Sequence, residues 1–335
     1  MGGEYGNTAE MARKLAVNMF KVFGWQDAGA HDQNWKCVTP SHKLKTHPSD
    51  VVFYYDDPYE SKRIYVNADL KSYGKGSITD AKITASLTSL AKATECANKS
   101  EEFEKLYKHE DHNKKVVGLL FIYNHDADYD DEFSKILLDT RSSSISLKKG
   151  SRLFVIGPKD VTYLSAVETD ILAESTRRNL SALDQCRFYY PELILARTQT
   201  NFSRVATLET LTGPWQVFHF ATSESGDGPG GYFIYYSGKG DSHDDFKYII
   251  DLIFRYELIR DNRTVEIRLP FATNEAASNF HKAKESYTED FWGFEGYGRT
   301  EFNKRLEKIT FVPLGKIVNK FSGIAIGMER QNATI

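Results

Sequence analysis

Hydrophobic and polar positions change period several times along the first half of the chain, and each change predicts an element. Met11, Leu15, Met19, Phe20 and Phe23 recur at helical spacing over residues 8–23, and Gly24 follows as a helix stop. Residues 35–38 predict a short strand ended by Pro40, and residues 51–55 a β-branched and aromatic strand closed by Asp56, Asp57 and Pro58. Over residues 64–71 the pattern alternates. Ile64, Val66 and Ala68 point one way, while Tyr65, Asn67, Asp69 and Lys71 point the other. These last two runs, joined by a short turn, predict an antiparallel hairpin.

Helical spacing returns over residues 79–97, with Ile83, Leu87, Leu90 and Ala91 on one stripe, and a charged connector follows at 99–114. The continuous apolar run 116–123 predicts a strand covered on both faces, and 153–156 predicts another. Helix, three strands, helix, strand and a further strand make an α/β arrangement around a mixed sheet.

The second half reads as α+β: strands at 215–220, 232–236 and 264–269, and helices at 245–258 and 274–287. Runs at 309–312 and 317–326 are expected to close a second sheet. No repeat at solenoid periods is present. The expected domains are 1–190 and 191–335, although nothing near Pro191 resembles a linker.

Length and composition narrow the class. The 335 residues exceed one average core, and 41% hydrophobic with 27% charged residues is ordinary for a globular protein. A formal net charge of −3 means that any nucleic-acid partner must meet a local basic patch. Cys37, Cys96 and Cys186 are odd in number, far apart and without C-x-x-C spacing. That pattern predicts neither a disulfide framework nor a zinc cage, and fits a reducing cytoplasm. No signal-peptide core or membrane-length apolar run is found, so no membrane association is expected.

The candidate chemistry sits on the hairpin. Asp50 sits at the first position of the first strand, and Asp69 and Lys71 share one face of its partner. Antiparallel pairing would bring two carboxylates and an ammonium together at one edge of the sheet. Mg²⁺ takes oxygen ligands, commonly one or two carboxylates, and a cation so held favours phosphodiester hydrolysis. Asp50 and Asp69 are the expected metal ligands, helped by the Leu70 carbonyl, with Lys71 orienting or helping to deprotonate the water.

The strings P-S-D at 48–50 and D-L-K at 69–71, with the element order above, resemble the PD-(D/E)xK nuclease superfamily. Gly6–Glu10, read as G-x-x-A-E, and Phe23-Gly24-Trp25 resemble its restriction-endonuclease-like and Holliday-junction-resolvase-like members. The resemblance covers roughly residues 6–160. It implies a restriction-endonuclease-like αβββαβ core, catalytic Asp50, Asp69 and Lys71, and a glutamate, Glu10, reaching the metal from a helix. Two positions depart from the pattern: Ser49 separates Pro48 from Asp50, and Asp69 stands where glutamate is commoner.

Other residues have competing readings. Asn7–Glu10 also fits a capping box. His47 either meets phosphate or lies in a surface loop. Lys43, Lys45, Lys71, Lys75 and Lys82 fall near the same strand ends, either as a DNA-binding patch or as solvated loop lysines. The glycine-rich SGDGPGG lacks phosphate-loop spacing and reads as a hairpin tip, while Ser237–Gly240 precedes a helix capped by Asp241 or Ser242. FYYPEL and FWGFEGYG suit base stacking or a protein interface, and core packing accounts for them more simply. The expected protein is a Mg²⁺- or Mn²⁺-dependent endodeoxyribonuclease of the cytoplasm, acting in defence against foreign DNA. It is expected to work as a homo-oligomer or with a partner subunit. The alternative is a catalytically silent nuclease-fold subunit that binds nucleic acid or a partner protein.

Overall fold

The computed structural model describes residues 2–60, 62–108, 113–142, 145, 147–178, 186–191, 201–220, 230–260, 263–292 and 298–315. The chain divides into two compact units, Met1–Ser165 and Ala166–Ile317. The runs expected at 317–326, in SGDGPGG up to residue 229, and at 293–297 lie outside the described residues.

The first unit opens with α1 (Gly2–Val22). This helix starts earlier than its apolar periodicity, so Thr8 lies inside it and the capping-box reading of Asn7–Glu10 falls. Its end follows from Gly24, at φ 85°: Gly24 N–H donates to Lys21 O at 3.1 Å and Trp25 N–H to Phe20 O at 2.9 Å. That pair of bonds is a Schellman cap, and the Phe20 and Trp25 rings stack across it at 4.4 Å. Next come β1 (Gln26–Asp27), β2 (Gln33–Lys36), a 3-10 turn at Pro40–His42, β3 (Thr46–Ser49), β4 (Val51–Asp56) and β5 (Arg63–Tyr73). Helices α2 (Asp80–Ala97) and α3 (Glu101–Tyr107), strand β6 (Lys114–Asn124), α4 (Phe133–Ser142), β7 (Leu153–Ile156) and α5 (Pro158–Arg177) complete this part of the chain. The connector read at 99–114 therefore contains a helix, α3, capped by Ser100 Oγ accepting from Phe103 N–H.

The main sheet runs β1-β4-β5-β6-β7. Strands β4 and β5 are antiparallel, while β5, β6 and β7 are parallel. On β6, Phe121 meets Phe20 of α1, whereas its neighbours Leu120 and Ile122 join Ile83, Leu87 and Leu90 of α2 in one cluster. Successive strand residues face opposite sides, so α1 and α2 cover opposite faces. A Cβ on Gly118 would sit 2.5 Å from both Thr94 Oγ1 and Leu153 Cδ2, so the absence of a side chain lets α2 settle onto β6.

The second unit begins within α5. It continues with β8 (Cys186–Tyr189), β9 (Phe202–Ser203), α6 (Leu208–Leu211), β10 (Trp215–Phe220), β11 (Gly231–Tyr236) and α7 (His243–Arg255). Strand β12 (Thr264–Leu269), α8 (Ala276–Trp292), α9 (Arg299–Glu307) and β13 (Ile309–Pro313) follow. The division lies earlier than the expected boundary at 190, because β8 is hydrogen-bonded into the second sheet, ordered β13-β12-β11-β10-β8-β9. Phe188 and Tyr190 of FYYPEL are buried, as the core reading expects. Phe246, Ile249, Ile250 and Ile253 of α7 pack with Ile234, Ile267 and Ile309 of the three parallel strands. On the other face Arg268, 2% exposed, pairs with Asp170 of α5 at 2.6 Å, and Tyr235 donates to the same carboxylate at 2.8 Å.

Apart from β2, β3 and α3 in the first unit and β9 and α6 in the second, the two units share one connectivity. A helix (α1 or α5) is followed by an antiparallel hairpin (β4–β5 or β10–β11), a helix on the opposite face (α2 or α7) and a parallel strand (β6 or β12). Another helical crossover (α4, or α8 with α9) leads to a last parallel strand (β7 or β13). A further antiparallel strand, β1 or β8, flanks the hairpin.

Gly118→Ala is expected to lower stability by about 1–3 kcal/mol through overpacking, read as a fall in the denaturant midpoint at unchanged slope. An unchanged midpoint would mean that α2 moves away from β6 freely.

Candidate active site

Asp50 occupies a bend between β3 and β4. Val51 pairs with Ala68, so continuation of the register puts Asp50 beside Asp69. The backbone fixes this approach, with Leu70 N–H donating to Asp50 Oδ2 at 2.8 Å. Lys71 Nζ forms an ion pair with the Asp69 carboxylate. Tyr65 packs with Ala93 and Cys96 of α2, so Asn67, Asp69 and Lys71, of the same parity, project on the α2 face. Pro48, Asp50, Asn67 and Asp69 line a small cleft walled by Ser89 and Leu90 of α2. Asp50, Asp69 and Lys71 are thus brought together as the hairpin predicts.

Residues 1–160 match the family model described as the GAPS4 protein PD-(D/E)XK nuclease domain. This part of the chain belongs to the PD-(D/E)XK nuclease superfamily. No curated protein matches the chain.

Within the nuclease domain, the departure at Ser49 has a structural reason. Trp35 Nε1 donates to Ser49 Oγ at 2.9 Å in the interior, so the residue between Pro48 and Asp50 pins the β2–β3 ribbon. Glu10 is half-buried on α1. That helix packs on the face of β5 opposite to the acid pair, so Glu10 can approach the pair only around the end of the strand. Nor is His47 a surface-loop residue. It is fully buried on β3.

Burial raises the Asp50 pKa from 3.8 to about 6, and the neighbouring charge of Asp69 adds to the rise; the Leu70 N–H and Lys71 act the other way. Ionising Asp50 is therefore less favourable than ionising an ordinary aspartate by about 3 kcal/mol. Burial alone would lower the Lys71 pKa, but Asp69 and Asp50 outweigh it and hold the ammonium above its ordinary value. Lys71 thus stays protonated at neutral pH, which suits charge compensation and water orientation rather than proton abstraction. Two carboxylates form a hard oxygen-donor set, which fits a divalent cation that prefers oxygen ligands.

Alternation along the hairpin put Asn67 on this face without assigning it a role. Asn67 is 1% exposed, lines the cleft, and neither of its amide atoms has a hydrogen-bond partner among the described residues. A buried amide without partners is costly, and this one stands in the same cleft as the acid pair. The lysines share no single role. Lys75 pairs with Asp130 and Lys82 lies over the Tyr73 ring at 5.4 Å, whereas Lys43 and Lys45 are exposed.

Asp50→Asn keeps an acceptor for Leu70 N–H and removes the charge. Since the folded pKa is raised, stability falls as pH climbs from about 4 to 6, and the full cost is present above that window. At pH 7 in EDTA the variant is expected to be more stable than the wild type by about 1–3 kcal/mol, with the difference fading near pH 4. Thermal melts across that range check it, and equal stability at pH 7 would contradict the electrostatic account.

Proposed function

We propose that the nuclease domain hydrolyses DNA phosphodiester bonds using a divalent cation, Mg²⁺ or Mn²⁺, held by Asp50 and Asp69. The observation that carries this reading is the half-buried Asp50–Asp69 pair, with Lys71 ion-paired to Asp69, in one small cleft. The Leu70 carbonyl is a further ligand, and Glu10 is proposed to reach the cation around the end of β5. When bound, the cation neutralises charge building on the phosphate and lowers the pKa of an attacking water. Asp50 and Asp69 position it, Lys71 compensates phosphate charge, and Asn67 hydrogen-bonds water or phosphate at the floor of the cleft.

The biological setting implied by the superfamily resemblance is defence against foreign DNA in the cytoplasm. Exposed Lys43 and Lys45, on the segment that leads to Asp50, supply local positive charge despite the acidic total. No helix among the described residues is long and apolar enough to cross a membrane. A second copy of the chain, or a partner subunit, would let two sites reach both strands of a duplex.

The silent-fold alternative has an observation in its favour only in the second unit. There Gly213-Pro214 precede β10 and Ser237-Gly-Lys-Gly240 follow β11, with no carboxylate where the first unit has Asp50 and Asp69. We assign the second unit to recognition or assembly rather than to hydrolysis.

Incubation of supercoiled plasmid with the full chain is expected to give nicked and linear products with Mg²⁺ or Mn²⁺ and none with EDTA. Asp69→Ala and Lys71→Ala should each lower the rate by on the order of 10²–10³. Full activity in both variants would overturn the site, and cleavage of RNA but not DNA would overturn the substrate.

A further inference from the structure

Four metal-binding side chains lie close together, apart from the acid pair. Cys37 follows β2, His42 closes the 3-10 turn, His47 lies on β3 and Cys96 is in the last turn of α2. One donor atom from each falls within 4.8 Å of all the others. The sulfurs of Cys37 and Cys96 are 3.7 Å apart and not bonded to each other. His42 Nδ1 lies 3.7 Å from the first and 3.3 Å from the second. A tetrahedral zinc with Zn–S of about 2.3 Å and Zn–N of about 2.0–2.1 Å requires S···S near 3.8 Å and S···N near 3.6 Å. The three edges among Cys37, His42 and Cys96 lie within a few tenths of an ångström of such a tetrahedron.

Two further observations point to a ligand. His47 is completely buried, and neither ring nitrogen has a hydrogen-bond partner among the described residues. An imidazole so placed is costly unless something takes its lone pair. His42, by contrast, turns Nδ1 toward the sulfurs and offers Nε2 to Glu95 at 3.2 Å. A carboxylate on the distal nitrogen is the arrangement that orients metal-bound histidines and raises their basicity. Glu95 is itself held by Lys148 and by Lys99 at 3.7 Å.

We propose that Cys37, His42, His47 and Cys96 form a structural zinc site in the nuclease domain. On binding, the two thiols release their protons to solvent, and two thiolates with two neutral imidazoles close the four positions of a Zn²⁺ ion. Full coordination leaves no place for substrate, so the ion acts as a staple. Its placement gives the staple a purpose: His47 stands three residues before Asp50, and Cys96 three residues after Ala93 in the wall of the cleft. Zinc therefore ties the segment carrying Asp50 to the helix that walls the cleft. Spacing along the chain excludes such a site only while Cys96 is far from the C-x₄-H-x₄-H run; folding α2 over the sheet brings it in.

This inference does not rest on the nuclease reading, and its test does not use cleavage. The full chain, produced in zinc-supplemented medium and purified without chelators, is expected to contain about one zinc per chain by elemental mass spectrometry. His47→Ala should lose the metal and His47→Cys, which restores a donor, should keep it. Cobalt in place of zinc should give the visible bands of a tetrahedral ion and thiolate-to-cobalt charge transfer, which a merely packed cluster of thiols and imidazoles would not. Wild-type chain without zinc and without those bands would overturn the site, as would a Cys37–Cys96 disulfide in the freshly purified protein.

Discussion

Two carboxylates that repel each other are held side by side by the backbone of one hairpin, and much of the first unit serves to keep them there. The β4–β5 register sets their separation, and Leu70 N–H commits Asp50 to its place before any cation arrives. Lys71 offsets part of the charge, but burial still leaves Asp50 far from its ordinary titration range. Such an arrangement is tolerable only inside a framework that recovers the cost elsewhere, and the aromatic cluster of Phe20, Trp25, Phe53, Tyr55 and Phe121 beneath the sheet is where it does so. Strain of this kind is concentrated where it is useful, because the same repulsion becomes affinity once a cation is bound.

The hairpin was legible in the sequence because strict alternation over residues 64–71 is hard to satisfy otherwise, and the same alternation already grouped Asn67, Asp69 and Lys71. The buried strand β6 was legible for the opposite reason, an apolar run with no polar face. Helix α5 was missed because one of its polar stripes is buried. Asp170 and Glu174 look like solvent-facing residues until Arg268 and Tyr235, far along the chain, are seen against them. Strands β1 and β9 have two residues each, too short to show a period. His47 was misread because its neighbours Thr46 and Pro48 are polar or turn-forming and exposed, so nothing local signals a buried position.

The repeated connectivity of the two units was equally invisible. Among the described residues only the first holds the acid pair, and the core of the second is built from different residues on a similar plan. A repeated framework in which one unit holds the acid pair separates two demands. The first unit keeps a strained acid pair, whereas the second is free to bury a satisfied ion network around Arg268 and to present other surfaces.

The central claim is that Asp50 and Asp69 hold one divalent cation on the α2 face of β5. Anomalous diffraction from crystals of the full chain soaked in Mn²⁺ tests it most directly. The account predicts a manganese peak between the two carboxylates, within reach of the Leu70 carbonyl and lost in crystals of Asp69→Ala. A peak elsewhere, or none at the acid pair while manganese occupies other sites, would contradict it.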